Sequence, residues 1–360
     1  MVTNLPENAK AQWKRVVLAR TPEEKLKELK KFYSMIPKHK GTKNLVKYVR
    51  RKMAVLKEEI EERKKKGKVR GRYVSSWDQG VHGIARISLV GFSQAELVKA
   101  FKFITGRRVK EGFMFEPIYG ILDDGEIQFQ VVMLPPVIPG SLKASRIFSY
   151  LPTSRLVFFI STSHDFSDFE EFSSLSESEG VVLKEKGGEV KIERLPSGGI
   201  RVVGSLMDSS NKELIELLRS YGIRNAVVKI FGDVTLTDVE NEILGLRKYV
   251  PCVQLRLAGS EFVLRDGSQV LAIRSKKELS EFILHKLSLI RVYTKLPREG
   301  PSNEPIVLKE GSTIEELARS IHSWLIKHFN YAVIWRNGKQ MKVSRSFKLK
   351  DGDIVEIRTR

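Results

Sequence analysis

The 360-residue chain has one cysteine, Cys252, and six histidines, at positions 39, 82, 164, 285, 322 and 328. A single cysteine excludes an internal disulfide and any thiolate zinc cluster. No histidine pair has HExxH or similar ligand spacing, so no metal site is expected. No run of about 18 consecutive apolar residues occurs, so no membrane span is expected. The opening residues MVTNLPEN lack a charged segment followed by an apolar one, so the expectation is a cytoplasmic rather than a secreted protein. No GxxxxGK[ST] occurs anywhere, which removes the ordinary lysine-bearing phosphate loop. Repeats of fixed period are also missing.

Basic charge is abundant. Lys and Arg number 63 against 43 Asp and Glu, a formal charge of +20, with 41% apolar residues to build cores. Residues 1–75 carry 16 Lys and 7 Arg against 8 Glu and no Asp, or +15. Residues 289–360 carry 14 cations against 8 anions, or +6, which leaves the middle of the chain at −1. Strongly basic ends on a neutral body point to a polyanionic partner. An anionic membrane is disfavoured, because the basic helices lack a lipid-seeking Trp/Phe/Leu face.

The pattern divides the chain into three parts. Residues 1–75 read as a basic helical hairpin. Thr21, Pro22 and Glu24 form a helix start that should run to about Met35 and stop before Pro37. Leu45, Val49, Met53, Leu56 and Ile60 recur at three- to four-residue steps, giving a second helix an apolar stripe that serves as the hairpin's own core. Residues 84–288 alternate strands and helices as a layered α/β domain. Strands are expected at 84–90, 119–122, 126–133, 155–160 and 251–255, and helices at 95–105, 237–246 and 276–289. Residues 161–180 read as a loop, and a small α+β insert covers about 175–230 with a helix at 211–221. Residues 289–360 read as a β-grasp-like module of about four strands around one helix, 314–328, opened by a Thr313/Glu316 capping box. Trp77 lies in a basic loop, where it could stack on a base or pack in a core.

The runs Ala85–Phe92 (ARISLVGF), Ser197–Ile200 with Tyr221–Ala226, Tyr249–Cys252, Leu289–Lys295 and Leu349–Ile357 together resemble the Obg-like GTPases, in their developmentally regulated GTP-binding protein (DRG) branch. The last two runs are similar to the ends of a TGS domain, a ubiquitin-like β-grasp fold. The resemblance implies a P-loop-GTPase-like domain, translation-linked roles and GTP chemistry. The residues for that chemistry are replaced. The phosphate-loop frame falls on Gly91–Val98 (GFSQAELV), which puts Glu96, Leu97 and Val98 where glycine, lysine and a hydroxyl are needed. Lys99, two residues late on a helix, is turned about 200° away. The magnesium-side DxxG frame falls on Met133–Pro136, and residues 107–122 hold no Ser or Thr to bind magnesium. The guanine-reading NKxD frame falls on Leu257, Ala258, Gly259 and Ser260. Met133, Leu97 and Val98 suggest a pocket collapsed by side chains.

These substitutions lead to a pseudo-GTPase with no catalytic residue and no expected cofactor. GTP or GDP with magnesium enters only under the alternative, a divergent GTP-binding protein that keeps switch activity. The expected partner is RNA or the ribosome, without DNA specificity, held by Lys38, Lys40, Lys43, Arg50, Arg51, Lys64, Lys65, Lys66, Arg70 and Arg72. A third reading is an interaction scaffold for an accessory protein.

Overall fold

The computed structural model describes the chain except residues 1–4, 20, 39–41, 67–76, 78, 110–111, 113, 185–187, 260, 298–299 and 360. Two compact units result, one of residues 1–78, 137–153 and 167–252, the other of residues 79–136, 154–166 and 253–360. This grouping joins the N-terminal helices to the insert and the central sheet to the C-terminal module.

Three helices come first, α1 (Glu7–Leu18), α2 (Pro22–Met35) and α3 (Lys43–Lys66). The α/β region continues with β1 (Arg86–Gly91), α4 (Gln94–Thr105), β2 (Ile118–Asp123), β3 (Gln128–Met133), α5 (Leu142–Tyr150), β4 (Leu156–Ile160) and α6 (Asp168–Ser178). The insert holds β5 (Val181–Val182), β6 (Gly188–Arg194), β7 (Ile200–Val203), α7 (Asn211–Ser220), β8 (Ala226–Gly232), α8 (Leu236–Leu244) and β9 (Lys248–Tyr249). Then come β10 (Cys252–Ala258), β11 (Glu261–Asp266), β12 (Gln269–Ile273) and α9 (Lys276–Lys286). The C-terminal module comprises β13 (Leu289–Thr294), β14 (Ile306–Lys309), α10 (Ile314–Ile321), α11 (Ser323–Lys327), β15 (Phe329–Arg336), β16 (Lys339–Val343) and β17 (Asp353–Thr359).

In the first unit, the hairpin expected over residues 1–75 gains a third helix, α1. Its helices do not form a core of their own. Trp13 of α1, Phe32 of α2 and Leu45, Val49 and Leu56 of α3 share one buried cluster with Leu214 and Leu218 of α7, Val228 of β8 and Val239 of α8. The Trp13 indole packs on Phe32 at 4.9 Å and donates its N–H to the Ile243 carbonyl at 3.1 Å. Residues 168–178, expected as loop, are helical because Phe172 gives the segment an apolar anchor against Phe148 at 5.4 Å. Asp168, Glu170 and Glu171 also place negative charge at that helix's positive end.

In the second unit, seven strands run in the order β12-β11-β10-β4-β1-β3-β2. The central strand β1 is buried along its whole length and pairs parallel with β3 and β4, as its near-continuous apolar run demands. Its two polar side chains are satisfied: Arg86 Nε donates to Gln130 Oε1 at 2.8 Å, and the Ser88 and Ser154 hydroxyls meet at 2.7 Å. Helices α4 and α9 cover one face through Leu97, Phe101, Ile104, Leu279 and Ile283. The chain leaves β10 through a tight hairpin, pairing Ala258 with Glu261, so β11 and β12 extend the sheet where no strands were expected.

The C-terminal module is a five-stranded sheet, β14-β13-β17-β15-β16, over α10. The capping box is present: Thr313 Oγ1 accepts from the Glu316 amide, and Glu316 Oε2 accepts from the Thr313 amide at 2.8 Å. The helix expected to reach residue 328 stops at Ile321. His322 is extended (φ −165°, ψ 137°), and its Nδ1 accepts from the Trp324 amide to cap α11. Arg291 grips Asp351 with its guanidinium at 2.8 and 3.2 Å and with its amide at 2.6 Å. Burial pushes the Asp351 carboxyl up, but these bonds from Arg291 outweigh it and hold the group below its ordinary value.

A Cβ on Gly91 would lie 2.7 Å from the Ile160 carbonyl oxygen of β4, so Gly91→Ala should cost about 1–3 kcal/mol in urea unfolding. The folded Asp351 has a lowered pKa, so its contribution to stability is present above the unfolded value near 3.8 and is lost as pH falls below it. Wild type and Asp351→Asn should therefore differ in denaturant midpoint at pH 6 and converge towards pH 2.

Candidate functional site

Open α/β sheets take ligands beyond the carboxyl ends of their strands. A cavity of about 570 Å³ lies there, lined by Glu96 and Lys99 of α4, Ser161, Thr162 and His164 after β4, and Arg256, Leu257 and Gly259 at the end of β10. It brings together Glu96 from the phosphate-loop frame and Leu257 and Gly259 from the guanine frame. The expected collapse does not occur. Leu97 and Met133 are fully buried in the core beneath the sheet, and the half-buried Val98 packs against the same core.

The connection from β1 to α4 is short. Only Phe92 and Ser93 separate Gly91 from the first helical residue, Gln94. Ser93 is the N-cap, its hydroxyl accepting from the Glu96 amide at 3.4 Å, and the Leu97 amide donates to the Ser93 carbonyl at 3.1 Å. Two amides of the frame are thus already bonded within the helix. Gly91 has ordinary backbone angles; its lack of a side chain serves the close pairing with Ile160. Glu96 Oε1 and Lys99 Nζ form an ion pair at 2.7 Å, so the one lysine near the frame already has a carboxylate partner.

The other frames are equally committed. Met133 closes β3, and the Leu134 amide donates to the Leu89 carbonyl at 3.0 Å, so the chain still pairs with β1; Pro135 and Pro136 are buried. Leu257 and Ala258 are paired to Phe262 and Glu261, and Gly259 turns the hairpin with φ +64°. Ser260 lies outside the described residues.

Arg256 was not singled out from sequence. Its guanidinium stands 5.9 Å from the Phe166 ring, and its buried Nε has no hydrogen-bond partner among the described residues; the same holds for Gln254 Oε1. The period-two alternation of Val253, Leu255 and Leu257 against Gln254 and Arg256 carries that signal. His164, Ser161 and Thr162 have no comparable pattern.

The expected basic surface is only partly available. Lys38, Lys43 and Arg50 are exposed, with Arg50 Nε donating to the Tyr33 hydroxyl at 2.6 Å. Arg51 is committed instead: it pairs with Glu179 at 2.9 Å and donates to the Ser178 carbonyl. Lys40, Arg70 and Arg72 lie outside the described residues, as do the side chains of Lys64, Lys65 and Lys66 at the end of α3. Lys47 has its ammonium pKa lowered, by burial first and then by repulsion from Arg51. Trp77 is edge-on to Tyr150 at 5.6 Å and has the Arg146 guanidinium 4.8 Å from its ring, so packing engages it. Among the described residues no group of His, Cys, Asp and Glu is arranged to hold a metal, and no helix is long and apolar enough to cross a membrane.

Comparison with known proteins agrees with this architecture. Residues 290–359 match the TGS domain family. GTP-binding protein 1 of Schizosaccharomyces pombe is 25% identical, covering 94% of this chain and 99% of that protein. The developmentally-regulated GTP-binding protein 2 homolog of Dictyostelium discoideum is 24% identical, with 93% and 98% covered. Developmentally-regulated GTP-binding protein 2 of Homo sapiens is 23% identical, with 93% and 98% covered. Over most of its length the chain is similar to the developmentally regulated GTP-binding proteins, and its C-terminal module is a TGS domain.

Proposed function

We propose that the protein is a non-catalytic, cytoplasmic relative of the GTP-binding proteins that binds RNA or the ribosome in a translation-linked role. One observation carries the non-catalytic part: only two residues separate β1 from α4, and α4 buries Leu97, which stands in the frame of the catalytic lysine. Phosphoryl transfer depends on that lysine, a magnesium site and a water-positioning group, which together account for many orders of magnitude in rate. Glu96 adds a negative charge where phosphate would sit, and like charges about 4 Å apart repel by several kcal/mol near a protein surface.

The RNA part rests on charge. Residues 1–75 carry +15, more than solubility needs, and Lys38, Lys43 and Arg50 are exposed on the described portion. Such a surface binds phosphate with little sequence preference. A divergent GTP-binding protein is the second reading. The open cleft of about 570 Å³ favours it, as do the relatives' names.

Titration with fluorescent GDP and GTP plus magnesium, up to millimolar, should give no saturable signal; micromolar binding would return the second reading to first place. Co-sedimentation with ribosomes should weaken about 10³-fold between roughly 50 and 200 mM salt if about six phosphates are neutralised. The triple variant Lys38→Glu, Lys43→Glu, Arg50→Glu should weaken it at least tenfold without shifting the unfolding midpoint. Salt-insensitive sedimentation would contradict the RNA reading.

A further inference from the structure

The insert carries a second, larger cavity, about 970 Å³, whose lining includes five consecutive residues of β6, Val190 to Arg194. Successive side chains of a strand point to opposite faces. A cavity that touches five in a row therefore runs along the strand's edge, where the backbone N–H and C=O groups are presented. β6 pairs with β8 at the edge of a sheet of order β6-β8-β7. Among the described residues no strand pairs with its outer edge. Ile223 and Ile243 contribute apolar lining, and Arg247, Lys248 and Pro251 line the groove as well.

The charge of this groove is one-sided. Five cations line it, Lys184, Lys191, Arg194, Arg247 and Lys248, against the carboxylates Glu193 and Glu242. Glu193 is already held by Lys229 at 2.8 Å. Cations along an open edge deter pairing with another copy of the same strand while leaving the edge open to an acidic one.

We propose that this groove takes an extended acidic peptide segment of a partner protein, added as a strand along β6. Backbone pairing would supply affinity, and alternate side chains the selectivity. Five residues at about 3.3 Å each make a site roughly 16 Å long, which suits a segment alternating acidic and small apolar residues. A nucleic acid fits less well. It would use the cations but not the backbone edge, and Tyr249 is the one aromatic among the lining residues. The site does not depend on the RNA reading, because it lies on the insert and not on Lys38, Lys43 or Arg50.

The test uses the full chain and three labelled peptides of about seven residues, read by fluorescence anisotropy. One alternates Glu and Val, one alternates Lys and Val, and the third is the Glu/Val peptide N-methylated at alternate residues to block one edge. The Glu/Val peptide should saturate, the Lys/Val peptide should bind at least tenfold more weakly, and N-methylation on the pairing edge should abolish binding. Arg194→Glu with Arg247→Glu should weaken the Glu/Val peptide at least tenfold, while single-stranded RNA binding and the urea midpoint stay as in wild type. Binding of the N-methylated peptide as tight as that of the unmodified Glu/Val peptide would show charge attraction without strand addition and overturn the proposal. So would a loss of RNA affinity as large as the loss of peptide affinity, or no saturable peptide binding at all.

Discussion

Leu97 lies fully buried against the same core as Phe101 and Phe129, one turn into α4. Its burial stabilises the fold by about 1.5–3 kcal/mol and fixes the rotation of α4 on the sheet. With that rotation set, the helix begins at Gln94, Ser93 caps it, and the amides of Glu96 and Leu97 are bonded locally. Gly91, without a side chain, lets β1 approach β4 closely. The cleft beyond the strand ends holds an ion pair of Glu96 with Lys99, a buried Arg256 Nε with no hydrogen-bond partner among the described residues, and the β10–β11 hairpin.

The first unit follows a different constraint. Its three basic helices are amphipathic, but their apolar stripes close on the insert rather than on one another alone, through Trp13, Phe32 and Val49 against Leu214, Leu218 and Val228. This arrangement leaves Lys27, Lys30, Lys43 and Lys57 of α2 and α3 exposed. It also explains why Arg51, on the side turned to Glu179, is neutralised while Lys38, Lys43 and Arg50 remain exposed. The insert in turn presents β6 as an open, cation-rimmed edge.

Much of the fold was legible because strong periodicity and cap chemistry agree. The β1 run and the Thr21 and Thr313 caps all stand where their residues predict. The misses have physical causes. Helix α6 was hidden by Ser and acidic residues whose polarity masks the single anchor Phe172. The break at His322 depends on a side-chain cap that hydropathy does not register. The hairpin β10–β11 turns on a glycine and has little polar sequence to announce it. At the cleft, the replaced residues at 96–98 and 257–259 were legible as substitutions, but not their consequence. Side chains expected to fill the pocket point into the core, because helix rotation is a tertiary property.

Leu97→Lys provides the most direct test. It restores the family's lysine in frame while asking a charge to enter a fully buried position. Urea unfolding should show a loss of several kcal/mol, and millimolar GDP with magnesium should return none of it. Stability close to wild type, rising further when GDP is added, would mean that the start of α4 can open into a phosphate loop, and would contradict the proposed loss of GTP chemistry from this fold.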